Sequence, residues 1–128
     1  DNDTVDASST SLSIGVTVGD VAVSMAQNTT KKDANADNST TNEEDVKSTN
    51  FGVTYAVTDS LTLQAASVAA SGTWNGTSGY KYDESAYGVM YTIASGMTLA
   101  VSYSDYSQEG GSGAVSGSGT VAQLKIAF

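Results

Sequence analysis

The sequence predicts an all-β chain whose strands run up and down in one antiparallel sheet, and two observations support this prediction. Glycine, serine, threonine, alanine, valine and tyrosine dominate the composition, and threonine, valine and tyrosine favour strands. Apolar and small residues also alternate along seven segments, which is the two-residue period of a β-strand. We expect these strands over approximately residues 10–18, 21–28, 47–57, 61–72, 85–93, 97–107 and 119–128, in a single unit that spans residues 1–128.

Each predicted strand has its larger apolar residues at every second position, so one side of the strand is apolar. The fourth segment loses this alternation near Ser67 and Val68, where we expect a β-bulge. In chain order, the apolar positions are Leu12, Ile14, Val16 and Val18; Val21, Val23 and Met25; Phe51, Val53, Tyr55 and Val57; Leu61 and Leu63; Tyr87, Val89, Tyr91 and Ile93; Met97, Leu99, Val101 and Tyr103; and Ala122, Leu124, Ile126 and Phe128.

The connections between the predicted strands alternate in length. Gly19–Asp20 forms a two-residue hairpin with glycine at its first central position, as a type II′ turn requires. Two further turns have three residues, and each pairs apolar residues across the turn. They are residues 58–60, which pair Val57 with Leu61, and residues 94–96, which pair Ile93 with Met97. Polar stretches over residues 27–46, 74–84 and 108–119 then predict long loops at the opposite edge.

The composition excludes several classes of function. The 128 residues include 14 acidic and 5 basic ones, with a net charge of −9, which argues against nucleic acid because its binders carry basic patches. Cysteine and histidine are absent, and with them the usual ligands of zinc and copper. Four carboxylates near the long-loop edge could cluster, but solvated loop carboxylates are commoner, so we expect no enzymatic activity. They are Asp83, Glu84, Asp105 and Glu109.

The two sides of the predicted strands differ as they do in a transmembrane β-barrel. Such a barrel is apolar outside and polar or small inside, with aromatic girdles, short turns at one edge and longer loops at the other. Each segment supplies about the 9–11 residues that a spanning strand needs. A soluble β-sandwich also alternates, but its outer faces usually carry lysine and glutamate. Here Lys125 is the one clear charge on the non-apolar sides.

A repeat and the last ten residues carry a resemblance to a known family. The segments FGVTYAVTDSLTL (residues 51–63) and YGVMYTIASGMTL (residues 87–99) share one hairpin pattern at an offset of 36 residues. The chain then ends GTVAQLKIAF, with apolar residues at alternate positions before a terminal phenylalanine. Together these features resemble the C-terminal half of Gram-negative general porins, in particular their alphaproteobacterial branch.

The resemblance implies a barrel of about sixteen strands, in a homotrimer of the bacterial outer membrane. It implies passive diffusion of small hydrophilic solutes, and recognition of the last strand by the barrel-assembly machinery through Leu124, Ile126 and Phe128. Because seven is odd and bacterial single-chain barrels have even strand numbers, we expect the chain to be a fragment. The competing interpretation is a secreted fibre or surface-layer subunit that assembles by strand addition at open sheet edges.

In the barrel interpretation each side of a strand has its own role. We expect aromatic residues at both membrane interfaces, because a tyrosine ring is apolar while its hydroxyl contacts water. The interface on the long-loop side would hold Phe51, Tyr87 and Tyr103, and the periplasmic interface would hold Tyr55 and Tyr91. The opposite sides are expected to line the pore, unless they face a plug or a partner. These residues are Ser13, Thr17, Ser24, Thr54, Gln64, Thr92, Thr98, Ser102, Gln123 and Lys125. Acidic loops predict a mild cation preference at the outer mouth.

One polar stretch has the spacing of a calcium-binding loop. Four residues stand at positions 1, 3, 5 and 12 of an EF-hand-like pattern, and oxygen ligands at alternate positions suit calcium. They are Asp33, Asn35, Asp37 and Glu44. However, Asn38 replaces the usual glycine, and no helices flank the stretch. We therefore expect an acidic outer loop without a cofactor, and bound calcium remains the alternative.

Overall fold

The computed structural model describes residues 6–33, 43–110 and 113–127, which form seven β-strands in one sheet. Each strand pairs antiparallel with the next one along the chain, so the order in the sheet is the order in the sequence. This confirms the prediction of an all-β, antiparallel arrangement of seven strands. The strands are β1 (Asp6–Val18), β2 (Val21–Asp33), β3 (Glu44–Ala56), β4 (Leu61–Trp74), β5 (Thr77–Ala94), β6 (Met97–Glu109) and β7 (Val115–Ile126).

The pairing register keeps the alternating apolar residues predicted for the seven strands on one side of the sheet, whereas Val68, Met90 and Val121 lie on the other side. Residues directly opposite each other in a ladder share a side, and the alternation therefore continues from strand to strand. One row of such residues crosses the whole sheet: Val18, Val21, Tyr55, Leu63, Val89, Val101 and Ala122. We call the side of this row the apolar face and the opposite side, which includes Thr54, Gln64 and Ser102, the polar face.

The sheet is a single layer without a core. None of the described residues is buried, and large apolar side chains remain exposed, among them Leu12 at 75% and Ile14 at 66%. Domains normally bury the apolar side of a sheet against a second layer. In the described ranges β1 and β7 are each paired along one side. The same ranges contain no helix that is long and apolar enough to cross a membrane. The apolar face is therefore not covered by any other part of the described chain.

The turn between β4 and β5 differs from the sequence prediction. Residues 74–84 are not a long loop, because Trp74 pairs with Thr77 and only Asn75 and Gly76 connect the strands. Both turn residues have positive φ, 46° at Asn75 and 71° at Gly76, as a type I′ hairpin requires. The Asn-Gly signal was present in the sequence, but the polar residues around it obscured the strands on either side. As a result β5 begins at Thr77 instead of near residue 85.

The irregularity in β4 also lies elsewhere than predicted. The ladders on both sides of β4 run without a shift through Ser67 and Val68, where we expected a bulge, and the register shifts between Gly72 and Thr73. Small residues on both faces at positions 65–67 mask the alternation without changing the backbone. Gly72 has a φ of 149°, and a Cβ there would lie 1.9 Å from the Asp45 carbonyl oxygen. The real bulge therefore needs glycine.

The remaining short turns fit the predictions in part. Gly19 has a φ of 57°, in agreement with the first central position of a type II′ turn. The Val57 amide donates to the Leu61 carbonyl oxygen at 2.8 Å, which is the expected pairing across residues 58–60. The other turn is shorter than predicted: Ala94, not Ile93, pairs with Met97, and the register shifts between Thr92 and Ala94. This turn therefore has two residues instead of three.

Replacing Gly72 by alanine is expected to destabilise the sheet by about 2 kcal/mol or more, because its Cβ would meet the Asp45 carbonyl oxygen. Gly119→Ala is the matched control, since a Cβ at Gly119 would meet nothing within 4 Å. The measurement is the denaturant midpoint of the β-sheet circular dichroism signal for each variant. Equal midpoints for the Gly72 variant and the unmodified chain would contradict the close approach.

Candidate functional site

The polar face carries all ten residues that the sequence assigned to a pore lining. Cross-strand pairs connect several of them directly, such as Thr54 with Gln64, and Thr92 with Thr98. Lys125 lies opposite Thr98 at the short-turn edge. A wall of this composition offers neutral hydroxyl and amide groups to whatever lies in front of it, with a single positive charge at one end.

Five of these ten residues line one shallow depression of about 400 Å³ in the middle of the polar face. Small residues make the depression possible: Gly52 is close enough to its neighbour that a Cβ there would lie 2.9 Å from the Ser24 hydroxyl oxygen. Gly15, Ala66 and Gly88 lie in the same depression. The five residues are Thr17, Ser24, Thr54, Gln64 and Ser102. The middle of this face therefore leaves open space instead of projecting long side chains.

The five aromatic residues that the sequence predicts as a girdle all lie on the apolar face, at two levels along the strands. Tyr87 and Tyr103 lie directly opposite each other, and Phe51 ends the apolar run of β3 on the side away from the short turns. Tyr55 and Tyr91 lie closer to the short turns, opposite Leu63 and Leu61 respectively. All five side chains are between 43% and 56% exposed. The rings therefore mark two levels along the strands of one face.

The two described residues of the expected assembly signal, Leu124 and Ile126, extend the apolar face to β7 and are 54% and 46% exposed. Leu124 lies opposite Leu99, and Ile126 lies opposite Met97. Phe128 lies outside the described residues. The end of β7 thus presents two alternate apolar side chains at an edge of the sheet.

The region of the expected calcium loop brings lysines beside the carboxylates. Asp33 and Glu44 share a surface depression with Lys31 and Lys32, whereas Asn35 and Asp37 lie outside the described residues. Lys31 forms an exposed ion pair of 3.6 Å with Asp45, and Lys32 lies opposite Glu44 in the ladder. Within residues 6–33, 43–110 and 113–127 no three acidic side chains form a group suited to a metal ion. Glu43 and Asp45 line the same depression, so four carboxylates lie beside two lysines there.

The polar face also carries an aromatic group that the sequence reasoning missed. Trp74 and Tyr80 are stacked with ring centroids 5.8 Å apart, and Tyr82 and Tyr106 are stacked at 6.4 Å. We call these four rings, together with the Glu84 carboxylate, the aromatic cluster. Most of its residues fall in the stretch that the sequence predicts as a loop, where no alternation of strand faces is expected. Recognition of the Asn75–Gly76 hairpin would have placed them on one face.

The sheet separates one of the four carboxylates that could have clustered at the long-loop edge from the other three, of which Asp83 and Asp105 line one surface depression. Asp83, Asp105 and Glu109 lie on the side of the apolar face, beyond its apolar residues, and Glu84 lies on the polar face. Glu84 accepts a hydrogen bond from the Tyr82 hydroxyl at 2.6 Å. The alternation of strand β5 thus brings Glu84 to the aromatic rings and turns its neighbour Asp83 away from them.

This hydrogen bond changes the acidity of Tyr82, which lies on β5 beyond the apolar residues of that strand. The Tyr82 hydroxyl donates a hydrogen bond to the Glu84 carboxylate, which favours the protonated tyrosine. Together with desolvation and the negative charge of Glu84, this raises the pKa of Tyr82 to about 12. The Tyr82 hydroxyl therefore stays protonated below that pH. The contact contributes fully below the ordinary tyrosine pKa of about 10 and is lost as the pH rises through the raised value.

The comparisons with known proteins identify no relative. No family model, curated protein or solved structure matches the chain. Any function must therefore be argued from the two faces of the sheet.

Replacing Glu84 by glutamine is expected to return the pKa of Tyr82 from about 12 toward its ordinary value, because the amide carries no negative charge. The measurement is the tyrosinate absorbance as a function of pH, in which one of the seven tyrosines would shift to lower pH. Asp83→Asn removes the same charge from the opposite side of β5 and should leave that tyrosine unchanged. Identical curves for the Glu84 variant and the unmodified chain would refute the interaction.

Proposed function

We propose that the chain forms part of the wall of a bacterial outer-membrane β-barrel of the porin type, through which small hydrophilic solutes diffuse passively. The observation that carries this proposal is the shape of the apolar region on a sheet without a core. It is a band that crosses the strands obliquely.

The band can be followed from β1 to β7 relative to the row that begins at Val18 and ends at Ala122. On β1 the apolar residues extend from this row toward the long loops, as far as Leu12. On β7 they extend from the row toward the opposite edge, as far as Ile126. Between these limits the lower border descends in steps, from Val57 after β3 to Ile93 on β5. The upper border descends from β1 to β7 but is interrupted on β4, where Ala65 and Ser67 follow Leu63.

The slope of the band gives the tilt of the strands. Its borders descend by about four to six residues across seven strands, which is roughly 13–20 Å along the strands over about 29 Å of sheet. If the band lies parallel to the plane of a membrane, the strands are tilted by about 25–35° from the membrane normal. This approaches the 35–45° of strands in membrane barrels. Where the band is tallest, on β1, β5 and β6, its apolar residues span seven positions, which is about 20 Å of strand compared with the roughly 25 Å apolar height of such barrels. A flat lipid layer accounts for both values.

The residues beyond the band fit the same interpretation. On the side of the apolar face, the strands continue toward the long loops with Lys47, Lys81 and Asp83, all of them exposed. Charged residues are costly at the middle of a bilayer but not in the headgroup region and beyond. The upper rings of the girdle, such as Tyr87, would then lie at the border between lipid tails and headgroups, where an amphipathic ring is most favourable.

The polar face would line the pore. Its neutral hydroxyl and amide groups and its central depression suit a passage for hydrated solutes that makes few specific contacts. The open edges at β1 and β7 would pair with further strands, because a sheet in hydrocarbon must close to satisfy its backbone. Leu124 and Ile126, with Phe128, would serve the barrel-assembly machinery, and the finished barrel would be one subunit of a homotrimer.

The second candidate is a secreted or surface structural protein that assembles by strand addition. The open edges of β1 and β7 favour it, since an unpaired edge is a template for another strand. In such an assembly the apolar face would pack against protein, and nothing would require its borders to run obliquely across the strands. We therefore prefer the membrane interpretation.

A lysine in the middle of the band separates the two candidates. Val89→Lys should reduce folding into lipid vesicles strongly, by about 2–4 kcal/mol, because the charge would face hydrocarbon. Gln64→Lys is the matched control, since Gln64 lies at nearly the same level on the polar face. Folding is followed by protease protection and by the electrophoretic shift of heated against unheated samples. Equal folding of both variants in water without detergent would exclude the membrane proposal.

The charge on the polar face should influence ion selectivity. Lys125→Glu is expected to increase the preference of the channel for cations, because it replaces a positive charge on the pore wall by a negative one. Lys47→Glu makes the same change on the other side of the sheet, opposite Thr29 and Ser71, and should have little effect. The reversal potential in a planar bilayer with a salt gradient measures both. A larger shift of the reversal potential for the Lys47 variant would show that the polar face does not line the pore.

A further inference from the structure

The aromatic cluster gathers four rings and one carboxylate on the polar face near the long-loop edge. Strand β5 supplies Tyr80, Tyr82 and Glu84 at alternate positions, and its neighbours supply Trp74 from β4 and Tyr106 from β6. The two stacked pairs have interplanar angles of 29° and 23°, so each pair is close to parallel. Beyond this cluster, hydroxyl, amide and small side chains predominate on the polar face.

Small residues leave the rings accessible. In the ladders, Tyr80 lies opposite Gly72, Tyr82 opposite Ala70, and Tyr106 opposite Gly117. The ring of Tyr106 covers Gly117 so closely that a Cβ there would lie 2.9 Å from the Tyr106 Cε1 atom. Trp74 and Tyr106 nevertheless remain 46% and 40% exposed. Covering a glycine of an edge strand stabilises the sheet, but it leaves part of each ring open to a ligand.

The electrostatics of the cluster favour a positive ligand. Aromatic ring faces carry partial negative charge and attract cations, quaternary ammonium groups above all. The Glu84 carboxylate adds a full negative charge on the same face, where it accepts a hydrogen bond from the Tyr82 hydroxyl. Lys81, between Tyr80 and Tyr82 in sequence, alternates to the opposite side of β5. Of the described lysines on the polar face, Lys32 lies opposite Glu44 and Lys125 lies at the short-turn edge.

We propose that the aromatic cluster is a binding site for organic ammonium cations, held by the faces of its rings and by the Glu84 carboxylate. The proposal depends only on side chains of β4, β5 and β6 and on the glycine of β7 beneath Tyr106. It therefore does not require that the apolar face contacts lipid or that the polar face lines a pore. In a pore it would place a cation-selective subsite toward the long-loop mouth.

The chain carries its own reporter for this site, because Trp74 is its only tryptophan. Choline is titrated into the whole protein in polyoxyethylene detergent micelles while the tryptophan fluorescence is recorded. We expect a saturable change with a midpoint in the millimolar range. The neutral carbon analogue 3,3-dimethylbutan-1-ol has the same shape without the charge, and it should bind about tenfold more weakly.

Two carboxylate variants locate the charge that is responsible. Glu84→Gln should weaken choline binding about five- to tenfold, whereas Asp83→Asn, which removes the same charge from the opposite side of β5, should leave it unchanged. Tyr106→Leu tests the contribution of a ring, and circular dichroism checks that each variant keeps the sheet. A second glutamate variant, Glu84→Asp, keeps the charge and should retain most of the affinity.

Three outcomes would overturn the proposal. If the neutral analogue binds as tightly as choline, the cluster is merely an apolar surface. Equal weakening by the Glu84 and Asp83 variants would mean that the net charge of the chain attracts the cation without a site. A saturable response to glucose with no response to choline would assign the rings to carbohydrate stacking. None of these measurements needs a bilayer, so a failure here leaves the porin proposal intact, and the reverse also holds.

Discussion

The structure depends on one constraint: a single-layer sheet has to be held by its backbone ladder and by contacts that the described chain does not supply itself. None of the described residues is buried, so no side-chain core offsets the cost of ordering the chain. That cost is about 1–2 kcal/mol per residue for the backbone alone, and a hydrogen bond in water returns a net 0.5–1.5 kcal/mol at most. An apolar environment changes this balance in two ways. Unpaired backbone groups become costly there, which favours the hydrogen-bonded sheet. The apolar face is also no longer exposed to water.

The same constraint explains why the register matters so much. A slip by one residue would move every apolar side chain to the other face, and the two functions proposed for the faces would be lost together. The short turns prevent this slip: Gly19 and the Asn75–Gly76 pair have the positive φ values that their turn types require. The bulge at Gly72 shifts the register only near the long-loop edge, above the apolar band. The band itself therefore lies on uninterrupted ladders except at the turn beside Ile93.

The strands also continue well beyond the apolar band, and this extension produces the aromatic cluster on the polar face. Strand β5 has 18 residues, more than the 9–11 that a membrane crossing needs, and its first part carries Tyr80, Tyr82 and Glu84. A ladder of backbone hydrogen bonds does not require apolar side chains, so polar segments remain in the sheet once the turn brings them together. The aromatic cluster exists because this extension aligns alternate residues on three neighbouring strands.

The sequence alone determined the class of the fold, the number of strands and the composition of the two faces, because these follow from a two-residue period that is local. Residues such as Val89 and Gln64 could be assigned to opposite faces from this period without coordinates. The sequence did not determine which polar stretches were loops, since strands outside an apolar layer lose the alternation on which the prediction rests. Only the tertiary structure decided that Trp74 and Tyr106, 32 residues apart in the chain, belong to one cluster, and that Glu84 and Asp83 face opposite sides. The slope of the apolar band also required the register, because it is a property of how seven strands are aligned and not of any one of them.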